Sequence, residues 1–195
     1  MLEWLMQADR ELFLFLNGLH NESWDGIMYW ISGKTTWWPF YLFLLGFAAW
    51  KKHWQLLPFI FAVALVVTLA DQSSVHLFKE VFKRPRPCRE QELEEVIHLV
   101  GRCSGKYGFI SSHASNTFAV AVLFALWIRR KWFTVLMLIW AFLVGYSRIY
   151  LGKHYPGDVL AGALWGAGCG WLVYFLFCRI MSLLPRNWWI NKASQ

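Results

Sequence analysis

Long apolar runs broken by short charged clusters are the first pattern along this chain. Five runs have the length and continuity of membrane helices: about Trp37–Trp50, Trp54–Phe78, His113–Ile128, Trp132–Tyr146 and Asp158–Cys178. Each is unbroken by the period-two alternation of a barrel strand, and the longer ones cover the ~30 Å of a bilayer at 1.5 Å per residue. Before them, residues 3–19 place Leu5, Leu12, Leu16 and Leu19 on one helical face with charges on the others, ending at Asn17-Gly18. That spacing predicts an amphipathic helix lying in the membrane interface. A second short apolar piece, Trp24–Ile31, stops at Gly33-Lys34. The expected fold is therefore all-α: a polytopic membrane helical bundle of five to six transmembrane helices with an N-terminal interfacial helix. As a single domain, 1–195, it divides into interfacial helices over 1–33, a transmembrane core over 34–178 and a basic cytoplasmic tail over 179–195.

Composition agrees. Of 195 residues 57% are hydrophobic and 16% charged, against about 25% charged in soluble domains. Trp37, Trp38 and Trp50 fall where an aromatic belt would sit, and the tail carries a Trp188-Trp189 pair suited to the same layer. Five spans put Lys51, Lys52, Arg129, Arg130, Lys131, Arg179, Arg186 and Lys192 on one face with no acid among them. That face is expected to be cytoplasmic. The remaining basic residues and every acid except Asp71 fall on the other. The Met1 end shows no cleavable-signal pattern, since Glu3, Asp9, Arg10 and Glu11 interrupt it. Cys88 and Cys103 share the outward polar loop Lys79–Phe109; a bridge between them would add roughly 3 kcal/mol, and two unpaired thiols are the alternative.

Charge returns at three helix ends. The first cluster runs Lys79-Glu-Val-Phe-Lys-Arg-Pro-Arg86-Pro87, and its forks and point charges suit an anion; alone it also reads as a basic interfacial loop. The second, Ser111-Ser112-His113, opens the third span. Hydroxyls and helix amides there hold an anion, and a neighbouring imidazole passes a proton, although an N-cap Ser beside an incidental His gives the same letters. The third runs from Ser147 to Asp158 and crowds Arg148, Lys153, His154 and Asp158 between two apolar segments. Buried charge of that density marks a functional site. Asp158, four residues after His154, can orient one imidazole nitrogen and free the other to attack. Two His and an Asp are also metal ligands, but the surrounding Lys79, Arg86, Arg148 and Lys153 favour a bound phosphate over a cation.

Taken together, Lys79-x6-Arg86-Pro87, Ser111-Ser112-His113 and Ser147-Arg148-x5-His154-x3-Asp158 resemble the three-part signature of the type 2 phosphatidic acid phosphatase family, which includes bacterial lipid phosphatases and has the vanadium haloperoxidases as distant relatives. In the middle block Ile110 stands where the family has Pro and Ser112 where it has Gly, which questions the backbone geometry at Ser112. The resemblance implies that His154 attacks phosphorus to give a phosphohistidine, Asp158 orients it, and His113 protonates the leaving oxygen and then activates water. It implies that Lys79, Arg86, Arg148, Ser111 and Ser112 hold the phosphoryl oxygens, with no metal and no cofactor. Lys83, Arg84 and Lys153 are left for a second phosphate or head group.

The expected activity is hydrolysis of a lipid phosphate or diphosphate at the outer face of the inner (cytoplasmic) membrane, with undecaprenyl diphosphate as the leading substrate. Phosphatidylglycerophosphate and the lipid A 1-phosphate are the nearest alternatives. A non-enzymatic scaffold gripping anionic membrane lipids and a vanadate-dependent oxidation are the competing readings. Neither nucleic acid nor an obligate protein partner is expected.

Overall fold

The computed structural model describes residues 2–52 and 55–183. His53, Trp54 and the Trp188-Trp189 pair with most of the basic tail lie outside the described residues. Seven helices account for the ordered chain there: α1 (Leu2–Gly18), α2 (Glu22–Ile31), α3 (Trp38–Lys52), α4 (Leu56–Phe82), α5 (Ser112–Ile128), α6 (Lys131–Tyr150) and α7 (Pro156–Leu183). Among the described residues there is no strand; the nearest approach is one antiparallel bridge, Pro85 to Tyr107, in the polar loop. Three helices, α4, α6 and α7, are long and apolar enough to cross a membrane, and α3 and α5 are apolar but shorter. The 17 residues of α5 reach only about 25 Å, short of the ~30 Å of a bilayer's hydrocarbon.

Helix α5 is the centre of the bundle. It packs on α4, α6 and α7, and its closest neighbour is α7, brought in by glycines at i, i+4 spacing. A Cβ at Gly162 would lie 2.6 Å from the Ser111 carbonyl and one at Gly170 2.6 Å from that of Ala119, while Gly166 rests against the Ser115 backbone. In a membrane, where lipid tails are as apolar as Leu, such small-residue stripes let backbones approach and dispersion hold them. The core beneath is aromatic: Phe59 stacks on Trp127 at 3.7 Å and meets Phe124 edge-on at 5.0 Å. Large apolar side chains such as Phe61, Phe142, Leu164 and Trp171 face outward, as lipid-facing positions do.

The connection from α5 to α6 is tight because Arg129 caps α5 in the left-handed region, at φ 57°. Helix α4 carries a π-helical turn over Ser74–Lys79. The wider turn rotates its last residues relative to the straight helix, and π-bulges of this kind collect at functional sites.

The two N-terminal helices do more than lie at the interface. Of the apolar stripe expected to define α1, Leu5, Leu12 and Leu19 are exposed, whereas Leu16 packs with Phe13 against the protein, which Asn17 also faces. Phe13 packs edge-on against Tyr155 at 5.3 Å, beside Leu93 and Ile149. Asn17 is buried and fully used: its amide nitrogen donates to the carbonyls of His98, Ile149 and Tyr150, and its oxygen accepts from His98 N–H. From α2, Asp25 accepts from the Tyr150 hydroxyl and pairs with His98 at 2.8 Å each. Both helices thus clamp the polar loop onto the end of α6.

Candidate active site

The three charged helix ends meet at one end of the bundle. Lys79, at the close of the π turn, donates to the Ser112 hydroxyl at 2.5 Å, and that hydroxyl also bonds Ser74 Oγ at 2.6 Å. The link ties the end of α4 to the start of α5. Ser111 is the N-cap of α5: its hydroxyl accepts from Ala114 N–H, and its own N–H donates to the Asp158 carbonyl at 2.9 Å. So the first turn of α5 is joined to the first turn of α7. The replacement of Gly by Ser at 112 costs no backbone strain, because the non-glycine residues with positive φ among those described are Lys83 and Arg129.

Arg86 leaves the polar loop and is held by its Nε donating to the Tyr107 carbonyl at 3.1 Å. The loop itself is closed by a Cys88–Cys103 disulfide, so the bridged alternative is the one the structure adopts. Arg89 donates to the Cys103 carbonyl across the same closure. The bridge constrains the hairpin that carries Arg86. Reduction, or a Cys88→Ser/Cys103→Ser pair, is therefore expected to cost about 3 kcal/mol of stability and to raise KM more than it lowers kcat. Thermal unfolding and steady-state kinetics with and without reductant check both.

Arg148 lies on the last turn of α6. Its Nη1 donates to the Ser32 hydroxyl, and its main-chain carbonyl accepts from both Lys153 and His154 N–H. Gly152, at φ 71°, makes the bend that returns His154 over Arg148; a side chain there would meet both the strain of that φ and the His98 carbonyl, 2.9 Å from an added Cβ. The cluster is dry: Asp158 is 0% exposed, His154 1%, Arg148 5%, Lys153 7% and Arg86 8%. His154 Nδ1 faces Asp158 Oδ2 at 3.5 Å, a longer approach than an ordinary hydrogen bond. The carboxylate is at the same time held by Tyr155 N–H at 3.1 Å and by Arg84 at 3.0 Å. His113 is within electrostatic reach of His154, Arg148 and Lys79. Lys79, Arg86, Arg148, Ser111, Ser112, His113, His154 and Asp158 are all brought to this end.

Burial first, and then the Arg86, Arg148 and Lys79 cations, push the His154 imidazole well below its ordinary value of 6.5. The ring is therefore neutral at neutral pH, with a lone pair available. Burial and the charges of Arg148 and Arg86 lower Lys153 to about 8, and burial also lowers Arg86, which stays charged. The sign follows for each. A lowered imidazole loses its lone pair only well below pH 6.5, and a lowered ammonium loses its charge as pH rises through about 8. With His154 read as the neutral nucleophile and His113 as the protonated acid, a bell-shaped kcat/KM profile is the expected result, and Lys153→Arg should move upward the part of the alkaline fall that Lys153 sets near pH 8.

Two participants escape a reading of the letters alone, and a third sits elsewhere than expected. Ser32 lies 116 residues from Arg148, which it holds. Asp9 pairs with Arg84 at 2.8 Å. Arg84 itself, expected near a second phosphate, is instead turned inward onto Asp9 and Asp158, with its guanidinium 4.1 Å over the Tyr155 ring. Its position two residues before Arg86 was the one available signal; nothing near Asp9 or Ser32 marks either.

Buried cations, two imidazoles and a helix start thus converge at one end of a helical bundle with membrane-spanning helices. The chain belongs to the PAP2 superfamily, whose family model matches residues 55–181. It is 37% identical to the lipid A 4'-phosphatase of Bacteroides thetaiotaomicron over 96% of this chain and 84% of that protein. It is 32% identical to an undecaprenyl-diphosphatase of Sulfolobus acidocaldarius over 95% of this chain and 82% of that one. The fold matches the crystal structure of a transmembrane PAP2-type phosphatidylglycerolphosphate phosphatase from Bacillus subtilis with a TM-score of 0.69, 21% identity and coverage of 93% and 88%. The protein is accordingly a membrane hydrolase acting on lipid phosphates, and the scaffold alternative falls away.

Proposed function

We propose that the chain removes a phosphate from an acylated sugar of the lipid A type, at the outer face of the inner membrane. A cavity of about 500 Å³ carries this reading. It opens beside Ser112 and His113 and descends between α3, α4 and α5 onto Leu44, Val67 and Phe124. Immediately below His113 its wall holds Asp71, whose Oδ1 accepts from Asn116 Nδ2 at 3.0 Å. A carboxylate–amide pair on the cavity wall suits the hydroxyls of a sugar. The 37% identity to a lipid A 4'-phosphatase favours the same substrate over the undecaprenyl diphosphate expected first.

In this reading neutral His154 attacks phosphorus, forming a P–N bond as the P–O bond to the sugar breaks. Asp158 holds the ring and stabilises the charge it gains. His113 gives its proton to the departing sugar oxygen, then takes one from the water that hydrolyses the phosphohistidine. Lys79, Arg86, Arg148, Ser111 and Ser112 meet the phosphoryl oxygens, where positioning and charge stabilisation supply most of the rate. The outward site is supported by the disulfide in its loop, since such bridges persist in oxidising compartments.

The test is a panel of detergent-solubilised substrates: a bis-phosphorylated lipid A, lipid A 1-phosphate, undecaprenyl diphosphate and phosphatidylglycerophosphate. The sugar 4'-phosphate is expected to be released with a kcat/KM at least about tenfold above the others, the position being read by mass spectrometry. Faster turnover of undecaprenyl diphosphate would move the assignment to the second reading, which the similarity to an undecaprenyl-diphosphatase supports.

A further inference from the structure

Asp9 lies on α1, outside the three charged clusters, yet its carboxylate is one bond network away from His154. Asp9 Oδ1 accepts from Gly157 N–H at 2.7 Å, in the first turn of α7. Asp9 Oδ2 pairs with Arg84 Nη2 at 2.8 Å. The other arm of the same guanidinium, Nη1, donates to Asp158 Oδ1 at 3.0 Å. Asp158 Oδ2 is then left for Tyr155 N–H and for the His154 ring. The side chains of Asp9 and Arg84 are 14% and 17% exposed and that of Asp158 is fully buried, so water competes weakly for these contacts.

An arginine fork facing a lone carboxylate closes on both of its oxygens, because two parallel bonds are better than one. Arg84 is prevented from doing so because Asp9 holds one of its arms. We propose that Asp9, from the N-terminal helix, is a positioning residue for phosphate hydrolysis: by dividing Arg84 between two carboxylates it keeps Asp158 Oδ2 directed at His154. The bond from Asp9 to Gly157 N–H works to the same end, fixing the turn on which Asp158 stands one residue later. Without the charge at residue 9, Arg84 turns fully to Asp158, withdraws Oδ2 from the imidazole, and leaves the nucleophile loosely held. The inference rests on the hydrolytic roles of His154 and Asp158 given above.

The test is a double-variant cycle on the full-length protein in detergent, with lipid phosphate hydrolysis followed as kcat and KM. Asp9→Asn is nearly the same shape and keeps one acceptor oxygen but no charge. Its kcat is expected to fall about tenfold with KM changed less than twofold, since misorientation of the nucleophile acts on the chemical step. Arg84→Lys, whose single ammonium cannot bridge two carboxylates, is expected to fall at least as far. The double variant should be no slower than Arg84→Lys alone, because the two side chains act through one path. Asp9→Glu, which restores the charge, should recover most of the rate, and Asp9→Ser replaces Asp9→Asn in the cycle if the latter does not yield monodisperse protein. Arg10→Gln cuts a neighbouring tie from α1 to Glu92 and should leave kcat unchanged. A kcat for Asp9→Asn within twofold of the parent, additive losses in the double variant, or an equal loss in Arg10→Gln each overturns the proposal. His154→Asn separates the layers: if it is inactive while Asp9→Asn is fully active, only the positioning role fails; if it is active, the hydrolytic reading beneath it fails.

Discussion

Replacing His154 with Asn lowers phosphate release by about 10³-fold or more, with substrate binding largely retained. The side chain is 1% exposed and sits among three cations, so an amide of similar size fits the space. What Asn cannot do is donate a nitrogen lone pair to phosphorus. Losses of this size are general when a nucleophile acting as part of a unit is removed, and the remaining groups then contribute little on their own. Because Lys79, Arg86 and Arg148 persist, the variant should still bind the lipid phosphate, and rapid-quench labelling with a radioactive lipid phosphate should show no acid-labile phosphoenzyme. Retention of more than a tenth of the activity would remove His154 from the chemistry and leave the cluster as a binding site. The companion change Asp158→Asn should be milder, since the 3.5 Å separation makes its contribution one of orientation and charge.

Arg148→Lys is the second large effect, expected at about 10²–10³-fold in kcat. The charge is kept, but the geometry is not. Arg148 Nη1 is engaged with Ser32 while Nε is buried with no hydrogen-bond partner among the described residues, so the fork is anchored at one side and has donors left for a phosphoryl oxygen. An ammonium is a point charge that cannot hold Ser32 and a phosphoryl oxygen in that fixed plane. The loss should fall on kcat more than on KM, because the contact strengthens as charge moves onto the equatorial oxygens. Ser32→Ala should reproduce a smaller part of it, since it frees the guanidinium without removing it. An Arg148→Lys variant within threefold of the parent would show that charge alone suffices.

Much of this was legible in the letters. The five apolar runs fall on α3 to α7, because in hydrocarbon the backbone must satisfy itself and a continuous apolar run leaves helix as the economical solution. In the last helix Gly162, Gly166 and Gly170 recur every four residues and meet the backbone of α5 or its N-cap, whereas Gly168 has nothing within 4 Å. The cations, hydroxyls and imidazoles of the three clusters could be named because charge near a bilayer is costly and so is rarely incidental. Even the substitution at Ser112, which left its backbone in question, concerned a local dihedral that the helix start then set.

Sequence determined which residue types gather and at which helix ends, since hydropathy and local spacing are properties of neighbouring residues. The partners that fix those residues are a matter of tertiary structure: Ser32 for Arg148, Ser74 for Ser112, Asn17 for the turn after α6, and Asp9 for Arg84. These pairs are up to 133 residues apart, and a single hydrogen-bonding side chain leaves no periodic trace in the chain around it. The same holds for the N-terminal helices, whose leucine stripe predicted an interfacial face but could not say that Phe13 and Asn17 would turn inward. Periodicity reports the solvent a helix meets; only the packed fold decides which polar atom on it finds a buried partner.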